Sequence, residues 1–231
     1  VLLLAFDTAT PAVTVAIGET TSEGAFTLRA TASSVDARRH GELLTPTIQR
    51  LLDEAGLTLG DLDHIAVGIG PGPYTGLRVG LATGHALADA LGIPCHGVTT
   101  LDALAFATKR TEPFLGMTDA RRKEVFWARY DDHLTRVGEV RVDRPAEIDT
   151  EGLPLVGDGA RMYAELLGAA PDTGPHTGDF EPLHPDAAAM AELALLRLHR
   201  GERLPEPAPL YLRRPDAVEP GAPKKVRQWV K

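Results

Sequence analysis

The stretch from Ile65 to Val98, IAVGIGPGPYTGLRVGLATGHALADALGIPCHGV, constrains the fold of this chain more than any other. Ile65 to Ile69 is a short β-branched and apolar run, stopped by Gly70, Pro71, Gly72 and Pro73. That pattern predicts a strand entering a tight turn. From Thr75 to Leu91 there is no proline, Leu77, Leu81, Ala88 and Leu91 recur at helical spacing, and Gly92 and Pro94 close the segment. The spacing predicts a helix with Thr75 as its N-cap.

Within that helix Gly76, Gly80 and Gly84 stand four apart and Ala88 completes the row. An interior glycine costs about 0.5–1 kcal/mol relative to alanine, so the bare side must permit the close approach of something. The candidates are the chain's own sheet or first helix, and a partner surface. Arg78, His85 and Asp89 exclude a membrane span.

A chain of 231 residues with 43% apolar and 24% charged side chains can bury one large core or two modest lobes. Its net charge of −8 argues against this chain alone gripping a nucleic-acid backbone, because phosphate binding rests on lysine and arginine. The single cysteine, Cys95, excludes an internal disulfide and lies in an apolar strand, where it reads as core filling. The apolar run Val1 to Phe6 ends at Asp7, too short for a signal-peptide core or a membrane span. A soluble cytoplasmic protein is expected.

In chain order, Val1 to Phe6, Val13 to Ile17 and Ala25 to Thr31 read as three strands. The helix Asp36 to Ala55 follows, with Leu43, Leu44, Ile48, Leu51 and Leu52 on a wide apolar face, and Gly56 as its C-terminal glycine. Pro46 lies inside it and predicts a bend or a late start near Thr45. After the central strand and the glycine-striped helix come the strand Ile93 to Val98 and a helix from Leu101 to Thr108.

The same order then begins again. Phe114 to Met117 leads to Asp119, Glu124 to Asp131 and His133 to Val142 read as strands, and Leu153 to Val156 enters the turn Gly157, Asp158, Gly159 before a helix from Ala160 to Leu167. Only Arg144 to Thr150 stands where a long helix should be, so this copy is reduced. Ala169 to Leu183 reads as a loop, Pro185 to Arg200 as a helix and Leu210 to Leu212 as a final strand. The expected division is a first lobe over residues 1–110, a reduced second lobe over 111–214, and a mildly basic tail over 215–231 carrying Lys224, Lys225, Arg227, Trp229 and Lys231.

Reactive groups are scarce. The glycine turn lacks the Gly-Lys-Ser/Thr end of a P-loop and has Pro73 where a dinucleotide turn has its third glycine. Pro71 and Pro73 also lack the amide hydrogens that such loops aim at phosphate. No histidine has a second one four residues along, and His40, His64, His85 and His96 are scattered, so no metal ligands are assigned. Ser22, Ser33 and Ser34 sit on no nucleophile elbow. Two acidic turns remain, Asp7 with Thr8 and Thr10, and Asp119 with Arg121. In a two-lobed ATPase such turns position magnesium and phosphate, which makes Asp7, Thr8 and Asp119 the only cofactor-binding candidates. The alternative is that they only satisfy backbone groups in tight turns.

FDTATPAVTVAI from Phe6 to Ile17, GIGPGPYTGLRVGLATGHALADALGIPCHGVTTLDALA from Gly68 to Ala105, TDARRKEVFWARY from Thr118 to Tyr130, and YLRR at Tyr211 resemble the TsaB (YeaZ) family of tRNA threonylcarbamoyladenosine biosynthesis proteins. Pro73 departs from the common pattern, which has serine there. The resemblance implies an α/β, two-lobed, actin-like ATPase fold of ribonuclease H type. It implies a non-catalytic scaffold that pairs with the catalytic paralogue TsaD and the ATPase TsaE for threonylcarbamoylation of the adenosine beside the anticodon of tRNAs reading A-starting codons, with tRNA reached through the complex. The paralogue's metal-binding histidine pair maps to Thr100 and Leu104, so no catalytic residue, metal or cofactor is expected, with room for ATP or ADP only at the subunit junction.

The resemblance also implies a partner surface on the first two helices. It assigns Leu43, Leu44, Ile48 and Leu51 of one, and Gly76, Gly80, Leu81, Gly84 and Ala88 of the other, to contact with TsaD, or with a second copy of the chain in a homodimer. A nucleotide-binding actin-like ATPase and a glycoprotease-type peptidase are the rival readings.

Overall fold

The computed structural model describes residues 1–168 and 180–212. Strands β1 (Leu2–Asp7), β2 (Ala12–Thr20) and β3 (Phe26–Val35) form an antiparallel meander, and α1 (His40–Ala55) leads to β4 (His64–Gly68), which pairs parallel to β1. Helix α2 (Tyr74–Leu91) then returns the chain to β5 (Cys95–Val98), parallel to β4, and α3 (Thr100–Ala107) follows. The sheet order is β3-β2-β1-β4-β5. The buried strand β1 sits at its centre because Leu2 to Phe6 are apolar and covered on both faces.

The second sheet repeats the plan with β6 (Phe114–Asp119), β7 (Val125–Tyr130), β8 (Arg136–Asp143) and β9 (Leu155–Val156), in the order β8-β7-β6-β9. Strand β9 is parallel to β6, as β4 is to β1. The repeat expected from pattern alone is therefore present, and among the described residues it has no fifth strand. One short 3₁₀ turn, Pro145–Glu147, takes the place of α1. Helix α4 is likewise only Asp158–Met162.

Several expected boundaries move. Helix α1 starts at His40 and runs through Pro46, so the late start near Thr45 is not found. Helix α2 starts at Tyr74 with Pro73 in the cap position, not Thr75, since the fixed φ of proline, here −58°, suits a helix entry. Ser33 and Ser34 belong to β3, which pairs with β2 as far as Val35. Leu210 to Leu212 is not a strand, although the Leu210 N–H donates to the Ile69 carbonyl at 2.8 Å. The tail expected over residues 215–231 lies outside the described residues, as does most of the loop 169–183.

The division at residue 111 is also corrected. Helix α5 (Ala187–His199), assigned by sequence order to the second lobe, packs on the first sheet. Met190, Leu193 and Ala194 share a buried cluster with Leu3, Ala5, Ala66 and Val98. The chain then crosses β5, where the Gly97 N–H donates to the Pro205 carbonyl at 2.8 Å. The first lobe thus owns residues from both ends of the chain. The opposite face of the same sheet is covered by α1 and α2, through Leu44, Ile48, Leu51, Leu77 and Leu81.

Candidate functional site

The two acidic turns end the central strand of each sheet, β1 and β6. Asp7 is completely buried. Its Oδ1 accepts the Ala9 N–H at 2.6 Å and its Oδ2 accepts the Thr100 hydroxyl at 2.7 Å, while Thr100 Oγ1 accepts the Gly70 N–H at 3.1 Å. Burial pushes the Asp7 carboxyl above its ordinary range, against the lowering effect of the Thr100 and Ala9 hydrogen bonds. A Cβ at Gly68 would fall on this carboxylate, so the glycine before the turn is what makes room for it. Thr8 is committed too. Its hydroxyl donates to the Gly76 carbonyl at 2.7 Å and accepts the Gly80 N–H at 3.0 Å, pinning the first turns of α2 to the end of β1.

Asp119 is held differently. Its Oδ1 accepts the Arg121 N–H at 2.8 Å and its Oδ2 lies 3.3 Å from the Arg121 guanidinium, whose side chain is 54% exposed. The Asp119 N–H donates to Asp158 Oδ1 at 3.1 Å, and His184 Nδ1 stands 3.8 Å from Asp158 Oδ2. Burial raises the Asp158 carboxyl and lowers the His184 imidazole, each against the opposing charge of the other. Arg121, Arg122 and Lys123 follow in the left-handed region, with φ of 61°, 55° and 63°. Each carries a Cβ that this conformation penalises. No residue of the sequence pattern announces that turn.

Between the lobes lies a cavity of about 280 Å³ lined by Thr8, Thr10, Arg38, His40, Thr75 and Arg121, among others. Its walls include Thr8 but not the carboxylates of Asp7 or Asp119, and both Asp7 oxygens are already occupied. Among the described residues no group of three or more histidine, cysteine, aspartate or glutamate side chains could hold a metal ion. Thr100 and Leu104, the positions mapped to the paralogue's metal pair, are both buried, and Leu104 packs with Leu101, Phe114 and Tyr130. His40, His64, His85 and His96 are all engaged. His40 meets the Thr10 carbonyl at 2.8 Å and His85 the Pro207 carbonyl at 2.8 Å, while His64 and His96, 32 residues apart, meet through ring nitrogens 3.0 Å apart on neighbouring strands.

The expected partner surface is the largest correction. Gly76, Gly80 and Gly84 are buried against the protein's own sheet. A Cβ at Gly76 would stand 2.5 Å from the Thr8 carbonyl oxygen, one at Gly80 would stand 2.6 Å from Thr8 Oγ1, and one at Gly84 would stand 3.3 Å from Cys95 Sγ. Leu44, Ile48, Leu51, Leu81 and Ala88 are buried with them, and Leu43 is partly buried at the edge of the same cluster. The stripe lets α2 sit close on β1 and β4, so it cannot meet a partner. Cys95, beside it, is half-buried with its thiol pushed up to about 11, chiefly by desolvation, which makes it a poor nucleophile. What the two helices offer outward is a second small-residue face on α2, Thr75, Ala82, Ala86 and Ala90, flanked by Val79, Thr83 and Leu87, and on α1 Leu43, Pro46 and Thr47.

Two sheets of one strand order, each centred on a strand that ends in aspartate, define the actin-like, ribonuclease-H-type class with a reduced second lobe. A family model described as TsaD, tRNA N6-adenosine threonylcarbamoyltransferase, matches residues 32–166. The chain is 32% identical to the tRNA threonylcarbamoyladenosine biosynthesis protein TsaB of Escherichia coli over 225 residues, covering 91% of this chain and 94% of that one. An uncharacterized protein of Mycobacterium tuberculosis is 43% identical over 215 residues, 93% of each chain. The solved structure of YeaZ from Pseudomonas aeruginosa superposes with a TM-score of 0.73 at 31% identity, covering 91% of this chain and 99% of that one. The chain belongs to the TsaB (YeaZ) family.

Proposed function

We propose that this protein is a non-catalytic scaffold in tRNA threonylcarbamoyladenosine biosynthesis, pairing with a TsaD subunit and serving a complex completed by TsaE. The observation that carries the reading is the state of Asp7. The carboxylate that an actin-like ATPase would keep open for magnesium and phosphate is sealed here by Thr100, Ala9 and the close approach of Gly68. An isolated chain built this way is expected neither to hydrolyse ATP nor to transfer the threonylcarbamoyl group. What remains is surface, and the outer face of α1 and α2 is the part suited to another helix pair. Ala82, Ala86 and Ala90 are exposed, uncharged and small, which lets helices approach closely.

The test is mixing. An equimolar mixture of this chain and its TsaD counterpart should elute from a sizing column as a heterodimer, and Ala86→Glu should abolish it while leaving the melting temperature within a few degrees. Ala86 is exposed, so the substitution introduces charge at the contact without disturbing the core. Separate peaks for the unmodified proteins would refute the pairing. A dimer of this chain alone, broken by the same substitution, would make the face a homodimer surface instead.

A further inference from the structure

Helix α3 belongs to both lobes. All of its residues from Thr100 to Phe106 are buried, the pattern of a helix enclosed on every side. Ala103 and Phe106 sit in the cluster that joins the first sheet to α5, with Leu3, Ala66 and Met190. Leu101, Leu104 and Ala105 sit in a different cluster, with Phe114, Phe126 and Tyr130 of the second sheet. The packing across the lobes is close, since a Cβ at Gly157 would stand 3.1 Å from Leu104 Cδ2. One short helix is therefore a layer of two cores.

The charged residue of α3 ties together the same two bodies. Asp102 is 8% exposed. Its Oδ1 accepts the Tyr130 hydroxyl from β7 at 2.9 Å and Arg136 Nη1 from β8 at 2.9 Å, both in the second lobe. Its Oδ2 lies 3.8 Å from Arg197 Nη2 on α5, the helix that covers the first sheet. Burial, and after it the Asp102 charge, pushes the Tyr130 phenol well above its ordinary range, so the phenol keeps the proton it donates. Beside this clasp the turn between β7 and β8 docks where the chain crosses between the lobes. There the His133 N–H donates to the Arg110 carbonyl at 2.8 Å, and the His133 and Phe106 ring centroids stand 5.5 Å apart.

Two-lobed proteins that close on a ligand turn about a few loop residues, with little surface held across the joint. Here a change of angle would draw Leu101 and Leu104 out of one core, or Ala103 and Phe106 out of the other. It would also part a buried carboxylate from its donors, which costs far more than breaking an exposed pair. We propose that α3 and the Asp102 clasp lock the two lobes at one angle, so that the cleft between them neither closes on a nucleotide nor opens for a partner. The lock is a property of the free chain and does not rest on the pairing with TsaD.

The experiment is double electron–electron resonance on the full chain, with spin labels at Glu54→Cys on α1 and Glu139→Cys on β8, both exposed, in a Cys95→Ala background. Amide hydrogen exchange accompanies it. The parent should give one narrow inter-lobe distance, the same with ATP and magnesium and with TsaD. Asp102→Asn keeps the shape of the side chain and removes its charge. It should broaden that distribution and speed exchange of the α3 amides at least about tenfold, while the β1 amides keep their parent rates. Arg136→Gln, at a side chain 29% exposed, should act in the same direction to a smaller degree and decides the matter if Asp102→Asn does not fold. A broad parent distribution, or one that shifts with ATP and magnesium or with TsaD, would overturn the proposal. So would parent-like widths and rates in a folded variant. Equal acceleration at β1 and α3 would overturn it too, because Asp102 would then support the whole fold and not the angle. Absence of TsaD binding would refute the scaffold reading alone, since the distance in the free chain still decides the lock.

Discussion

The turn at Asp7 and the turn at Asp119 begin from the same plan, an apolar strand ending in aspartate at the centre of a sheet, and end in different states. In the first lobe α2 and α3 both reach the turn, through Thr8, Gly76, Gly80 and Thr100, and leave Asp7 no exposure. In the second lobe α4 is one short turn of helix, so Asp119 keeps an exposed arginine as its ion-pair partner. The lesson is that a site can be emptied of chemistry by packing as well as by substitution. Asp7 is still an aspartate, but it is buried and each of its oxygens already accepts a hydrogen bond from its own chain.

That contrast can be broken by mutation, and the largest effect should come from Gly68→Ala. The added methyl would occupy the place of the Asp7 carboxylate, so the variant should lose more than about 3 kcal/mol, or fail to fold cooperatively in urea. A variant as stable as the parent would show that Asp7 is free to move and the seal is weak. Next, Asp7→Ala strands the Thr100 hydroxyl and the Ala9 N–H in a dry interior and should cost about 2–3 kcal/mol. Asp119→Ala, with a partner that water can replace, should cost about 1 kcal/mol by the same urea measurement. Equal costs would erase the distinction between the lobes.

A pH series sharpens it further. The folded carboxyl of Asp7 is raised above 3.8, so the folded state holds the proton more tightly, and this group's contribution falls as pH rises from about 3.8 through the folded value. Asp7→Asn has no such proton. Its stability relative to the parent should therefore improve between pH 4 and pH 7, and a difference that is flat or declines over that range would show that burial does not dominate at Asp7. The smallest effect should be that of Arg121→Ala, under about 1 kcal/mol, because its guanidinium is more than half exposed. A larger loss would make the left-handed turn at Arg121, Arg122 and Lys123 depend on that side chain.

Much of this architecture is legible in the residues. Apolar runs, the proline and glycine punctuation and the terminal glycines at Gly56 and Gly92 give strand and helix order, and the second copy shows through the same signals at Phe114 and Gly157. The glycine stripe is legible as close approach but not as to what, since a missing Cβ carries no address. The address is written in Thr8, whose hydroxyl needs both Gly76 and Gly80, and a threonine after an aspartate reads equally well as a simple turn. Helix α5 carries no address in its sequence for a related reason, because its buried residues, mostly alanine and leucine, fit either sheet. The His64 and His96 contact depends on strand register, to which spacing along the chain is blind.

The return of α5 to the first sheet fixes an order of events during synthesis. When a ribosome has released the first 110 residues, all five strands of that sheet exist, yet Leu3, Ala5, Ala66 and Val98 still lack the helix that covers them. The nascent lobe must wait for nearly ninety more residues before its second face can close.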